Sequence, residues 1–105
     1  MPNTYHPDRW VMLEFNDDST YEKWCKILAG WRGSFTDADS WKLSSRVIAI
    51  HNRIENFEFQ NESGSIYKCY KHNEGFTLLT CSIYESIMNQ TEGKFSIRIV
   101  NSGEL

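Results

Sequence analysis

The chain has 105 residues and a mass of 12.3 kDa, room for one domain. Its 11 Lys and Arg against 14 Asp and Glu leave a formal charge of −3, which argues against a nucleic-acid-coating protein because phosphate binding needs a basic surface. No stretch approaches the roughly 18 apolar residues of a membrane span, and the N-terminus lacks the apolar segment of a signal peptide, so the expectation is a cytoplasmic protein without membrane contact.

Residues 1–9 hold both prolines, Pro2 and Pro7, and no periodic pattern. They read as a flexible N-terminal arm. A single domain over 10–100 follows, and 101–105 reads as a tail. From Trp10 to Phe15 the residues alternate, with Val11, Leu13 and Phe15 on one side, which predicts a strand. Asn16-Asp17-Asp18-Ser19 is a turn, since short polar side chains bond their own local backbone.

The segment 20–29 admits two readings. Tyr21, Trp24, Cys25 and Leu28 fall at i, i+3, i+4 and i+7, the apolar stripe of a helix. Ser19 and Glu22 have capping-box spacing, and Gly30 stands where such a helix would stop. The competing reading is a hairpin, with 16–19 as its loop and Lys26–Ala29 extended. The local pattern favours the helix.

Residues 30–45 read as irregular, with two glycines, four serines and three large rings. Long loops without periodicity are often functional. From Arg46 onward the pattern is β. Alternating runs at 46–51, 57–59 and 65–70 are joined by polar breaks at Asn52-Arg53 and Asn61-Glu62-Ser63-Gly64, an antiparallel meander. Gly64 is free to take positive φ there.

Phe76, Leu79, Ile83 and Ile87 share one helical face, with Leu78, Thr80, Tyr84 and Met88 beside it. This predicts a helix over 74–89 capped by Asn73, although the β-branched Thr77, Thr80 and Ile83 weaken it. Phe95, Ile97 and Ile99 alternate with Ser96, Arg98 and Val100 in a last strand. The expected fold is α+β: an antiparallel sheet of about four to six strands, the helix near 74–89 on one face, and a second helix near 20–29 as an option.

Motifs for chemistry are sparse. There is no glycine-rich phosphate loop and no nucleophile elbow. Three cysteines, Cys25, Cys69 and Cys81, are too few and odd in number for a disulfide framework. Cys69, His72 and Cys81 have partial zinc-like spacing, but a fourth ligand is not evident, so no metal or cofactor is expected. The notable constellation lies in the irregular segment. Trp31, Phe35 and Trp41 stand there with Arg32, Arg46, Asp37 and Asp39. Rings supply stacking walls, and guanidinium groups supply planar donor forks for an anionic or polar group. The competing reading, which the pattern favours, is that Trp31 and Trp41 plug the open face of the sheet and the charges are solvated.

The runs Leu28-Ala29-Gly30-Trp31-Arg32-Gly33, Asp39-Ser40-Trp41-Lys42-Leu43-Ser44-Ser45 and Ser63-Gly64-Ser65-Ile66-Tyr67-Lys68-Cys69 resemble the core of small uncharacterised bacterial proteins typical of mobile gene cassettes. The resemblance spans roughly residues 10–90. It implies a compact α+β domain in a bacterial cytosol and carries no assigned activity.

Two function classes follow. The first is a non-enzymatic binding module for a small ligand or protein partner, using Trp31, Arg32, Phe35, Asp37, Asp39, Trp41 and Arg46. The second is a small enzyme with scattered residues around Cys69, His72 and Asp39. The high ring content, 14% of the chain, also suggests a homodimer that buries surplus aromatic surface.

Overall fold

The computed structural model describes residues 3–34 and 38–105. In chain order the elements are β1 (Thr4–Tyr5), β2 (Arg9–Asp17), β3 (Lys23–Trp31), β4 (Ser40–Leu43), β5 (Val47–Asn52), β6 (Asn56–Asn61), β7 (Ile66–Tyr70), α1 (Leu78–Thr91) and β8 (Phe95–Val100). The α+β expectation holds, with more strands than foreseen. They form two four-stranded sheets, ordered β1-β7-β6-β5 and β4-β3-β2-β8. The helix covers the outer face of the second sheet, so three layers stack: sheet, sheet, helix.

The alternation in β2 shows why. Trp10 and Met12 enter a core between the two sheets, with Phe57, Phe59, Tyr67 and Cys69. Val11, Leu13 and Phe15 enter a second core beneath the helix, with Phe76, Ile83, Tyr84 and Ile87. Both faces of β2 are therefore buried. A strand covered on both sides reads as an apolar run, not as a one-sided pattern. Several of the chain's rings pack here: Trp10 lies edge-on to Phe57 at 5.9 Å and tilted on Phe59 at 5.4 Å.

Segment 20–29 is not a helix: Thr20 belongs to the turn and the chain is strand from Lys23 onward. β3 pairs with β2 along its length, from Asn16 opposite Lys23 to Arg9 opposite Gly30. The helical stripe was a by-product of burial on both faces: Trp24 and Leu28 join the helix-side core, while Cys25, Ile27 and Ala29 join the inter-sheet core. Ser19 is not a helix cap. Asp17 accepts from the Ser19 amide (2.9 Å), the Ser19 hydroxyl (2.7 Å) and the Thr20 amide (3.2 Å), and this closes the hairpin. These bonds, the Ser19 hydroxyl foremost, hold the Asp17 carboxyl below its usual range.

Two further segments differ from expectation. Ser40–Leu43, read as irregular, is an edge strand paired with the end of β3. The described part of the N-terminal arm is tied into the fold. Thr4 and Tyr5 pair in parallel with Ile66 and Tyr67, and the Tyr5 ring lies 4.9 Å from that of Tyr67. The 101–105 tail also closes on itself, with the Asn101 amide donating to Glu104 at 2.9 Å and the Ser102 amide donating to Glu74 at 2.9 Å.

The meander over 47–70 is present as β5, β6 and β7. Its second turn is closed by the Gly64 amide on the Asn61 carbonyl at 2.9 Å, with Gly64 at φ +91°.

The helix starts four residues later than its pattern predicts. Asn73 lies in a short 3-10 turn, Lys71–Asn73, and Thr77 is the cap. The Thr77 hydroxyl accepts from the Thr80 amide at 3.1 Å, and the Thr80 hydroxyl accepts from the Thr77 amide at 2.8 Å. The two threonines that weakened the helix reading thus form its reciprocal box.

Tyr67 and Cys69 share the inward face of β7, and their burial has a pH signature. Burial pushes the Tyr67 phenol from its ordinary 10.0 up to about 12, with the neighbouring Tyr5 and Cys69 adding to the shift. Burial also holds the Cys69 thiol far above the usual thiol range. Both protonated forms are favoured in the folded chain. Their contribution to stability is therefore whole below about pH 9 and is lost as pH climbs through the folded values. The expected result is a denaturation midpoint that falls steadily above about pH 9. Tyr67→Phe should remove the part of that fall between about pH 10 and 12, as read by urea titrations at a series of pH values.

Candidate functional site

At one end of the helix layer, β3 runs out of the sheet at Trp31 and the chain enters the irregular segment. Two carboxylates frame this exit by gripping successive amides: Asp8 accepts from the Arg32 N–H at 2.8 Å, and Asp39 accepts from the Gly33 N–H at 2.8 Å. The start of α1 comes down beside them. Between the two lies a cleft of about 740 Å³ lined by Arg32, Gly33, Asp39, Phe76, Thr77, Leu78 and Cys81.

The helix can approach this closely because of Gly30. That residue lies on the helix side of β3, directly beneath the capping box. A Cβ built there would stand 2.8 Å from the Thr80 methyl and 3.0 Å from both the Thr77 methyl and hydroxyl. The chain leaves Thr77 and Thr80 buried at this contact, while the next side chain, Leu78, is 92% exposed at the cleft.

The cleft joins unlike chemistries. Arg32 is exposed, and no carboxylate pairs with its guanidinium among the described residues. Phe76 and Leu78 give an apolar wall. Cys81 adds a thiol from the first turns of the helix. The first backbone N–H groups of any helix also lack intrahelical partners and favour negative charge.

The residues singled out in the irregular segment divide. Arg32 and Asp39 line the cleft. Trp41 stands opposite Gly30 in the β3–β4 pair, on the helix side of the sheet, and is 44% exposed. Trp31 belongs elsewhere: its indole N–H donates to the His6 carbonyl at 3.0 Å, its ring meets Tyr5 edge-on at 6.2 Å, and it packs on the inter-sheet core. Arg46 is engaged at the opposite end of β3, bonded to Glu22 at 2.8 Å and lying 4.4 Å over the Trp24 ring. Phe35 and Asp37 lie outside the described residues.

The alternative set, Cys69, His72 and Asp39, is dispersed. Cys69 is completely buried in the inter-sheet core, and its raised pKa keeps it a neutral thiol without access to a substrate. His72 sits exposed on the 3-10 turn after β7, 5.9 Å from the Tyr70 ring. Among the described residues, no three His, Cys, Asp or Glu side chains are grouped to hold a metal ion. No described helix is long and apolar enough to cross a membrane.

Phe76 and Leu78 are site residues that the sequence did not point to, and it offered Cys81 only in the partial zinc-like set with Cys69 and His72, not beside Arg32 and Asp39. One signal was present: Leu78 is an apolar residue out of phase with the Ile83–Ile87 stripe, so a correctly phased helix must expose it.

Trp41 provides a local check on this geometry. A fully buried ring deletion costs about 3–5 kcal/mol. For the half-exposed Trp41 on an edge strand, Trp41→Ala is expected to cost only about 1–2 kcal/mol. Urea midpoints of the two chains decide it, and a loss in the larger range would put Trp41 in the core.

No family model, no curated protein and no solved structure matches the chain.

Proposed function

We propose that the chain is a non-enzymatic binding module whose site is the cleft between Arg32, Asp39 and the start of α1. The observation that carries this reading is the meeting, in one cleft, of a guanidinium with no carboxylate partner among the described residues and an apolar wall made by the half-buried Phe76 and the exposed Leu78. Such a pairing suits a small amphipathic ligand, or the end of a partner's chain, that offers an anionic group next to an apolar body. The guanidinium takes the anion through its planar donor fork. Phe76 and Leu78 cover the apolar part. Asp39 holds the loop in place through Gly33 and disfavours a second negative charge nearby. Because the net charge is −3, the attraction is local to Arg32 and not long-range.

The test is amide chemical-shift mapping with a panel of small aromatic and aliphatic carboxylates and phosphates. The expected result is saturable shifts confined to Arg32, Gly33, Phe76–Cys81 and their neighbours. Arg32→Ala should weaken binding by about tenfold or more while leaving the unfolding midpoint in place. Shifts scattered over other surfaces, or binding indifferent to Arg32→Ala, would remove the cleft as the site.

A further inference from the structure

The sheet ordered β1-β7-β6-β5 ends at β5, and no described strand pairs with the free side of β5. The hydrogen bonds at its end reveal what that side presents. The Arg53 amide donates to the Asn56 carbonyl, which makes Arg53 and Asn56 a bonded pair. Bonded and non-bonded pairs alternate in an antiparallel ladder. With His51 opposite Glu58, Ile50 opposite Phe59 and Ala49 opposite Gln60, His51 and Ala49 turn their amide groups toward β6. Ile50 and Asn52 therefore direct their N–H and C=O groups outward, into the open edge.

The side chains do not guard this edge. Ile48 is 66% exposed, Ile50 42%, and Ile54 at the following turn 95%. The strand contains neither proline nor lysine, residues that natural edges use against pairing. A register shift between Val47 and Ala49 blunts only its first half. Open main-chain groups between isoleucines are complementary to one thing, another extended strand.

We infer that this strand is the β5 of a second copy, paired antiparallel about a two-fold axis at Ile50. In that register the two Ile50 residues exchange both of their outward bonds. His51 then faces the partner's Ala49, and Arg53 faces the partner's Val47, so no like charges oppose each other. The flanking cations are already compensated within the chain, Arg46 by Glu22 at 2.8 Å and Arg53 by Glu58 at 2.9 Å. Pairing merges two four-stranded sheets into one continuous sheet and covers the isoleucines along the seam. The contact is small for a specific interface, so the dimer is a weak one, formed at high concentration.

The experiment is amide hydrogen exchange on the wild-type chain, dilute and near-millimolar, alongside sedimentation velocity on the same samples. The expected result is that exchange at Ile50 and Asn52 slows severalfold with concentration as the sedimentation coefficient rises. Ile50→Lys should abolish both changes and Ile50→Val should keep them. A chain that stays monomeric near millimolar concentration overturns the inference. So does a dimer in which the Ile50 and Asn52 amides exchange at the dilute rate, which would place the contact on another face. Protection of these amides only by a foreign peptide would also overturn it, making the edge a docking strand for a different partner. The wild-type comparison decides the matter even where Ile50→Lys fails to fold.

Discussion

Trp10→Ala is expected to remove about 3–5 kcal/mol of stability, the range for deleting a fully buried ring. Trp10 is fully buried and is the largest side chain in the inter-sheet core. Its cross-strand neighbour on β3 is Ala29, a small residue that leaves space for the indole. Its ring packs on Phe57 and Phe59 of the opposite sheet, so it joins the two sheets directly. The indole N–H also donates to the Tyr70 carbonyl at 2.7 Å. Alanine would leave a cavity between the sheets and strip that carbonyl of its donor. Domains of this size hold only about 5–15 kcal/mol in all, so the variant should be close to unfolding at moderate temperature. Trp10→Phe keeps most of the ring and loses the donor, and should cost about 1–2 kcal/mol. Urea unfolding followed by circular dichroism separates these cases. A cost for Trp10→Ala under about 1.5 kcal/mol would be incompatible with Trp10 as the bridge between the sheets.

The same residue shows what the sequence makes legible. Alternation over Trp10–Phe15 identifies a strand, because the period of two belongs to the strand alone. It does not say that both faces are covered, because the second cover comes from residues forty to sixty positions away. For β3 this gap becomes an error of type. Trp24, Cys25, Ile27, Leu28 and Ala29 are apolar in succession because each face of the strand is buried, and any dense apolar run contains a helical stripe. The true discriminator was the hairpin turn, where Asp17 gathers three donors. The meander at 47–70 was legible since its outer face is polar: Glu58, Gln60 and Lys68 alternate with the inward Phe57, Phe59 and Tyr67. For the candidate site, Arg32 and Asp39 were visible as charged residues in a segment without period. Their partners on α1 were not, because no local pattern reports that the start of a helix lands on β3. Trp31 was misplaced for a related reason. One residue along a strand changes the face, so Arg32 can line the cleft while Trp31 packs on the opposite side of the sheet.

Gly30→Ala is expected to cost about 1–3 kcal/mol, against the usual rule that alanine is preferred to glycine within a strand. The reason lies in what the new methyl meets. At 2.8 Å it is closer to the Thr80 methyl than real Cβ contacts allow, and at 3.0 Å from the Thr77 hydroxyl and methyl it is tight against both. Neither threonine can swing aside cheaply. Each is β-branched, each is buried, and each is held by the reciprocal cap, with Thr77 N–H on the Thr80 hydroxyl at 2.8 Å and Thr80 N–H on the Thr77 hydroxyl at 3.1 Å. Rotating either one breaks a capping bond whose loss costs about 1 kcal/mol. The helix must lift from β3 instead, which loosens Phe76 and Ile83 in the core beneath it and widens the cleft beside Arg32. A second substitution isolates the cause. Thr80→Ser removes the offending methyl and keeps the hydroxyl, so the cap survives. Combined with Gly30→Ala, it should recover part of the loss, giving a coupling of about 0.5–1.5 kcal/mol in a double-mutant cycle. Simple additivity of the two substitutions in urea unfolding would mean that the helix start does not rest on Gly30, and the cleft built on that contact would lose its near wall.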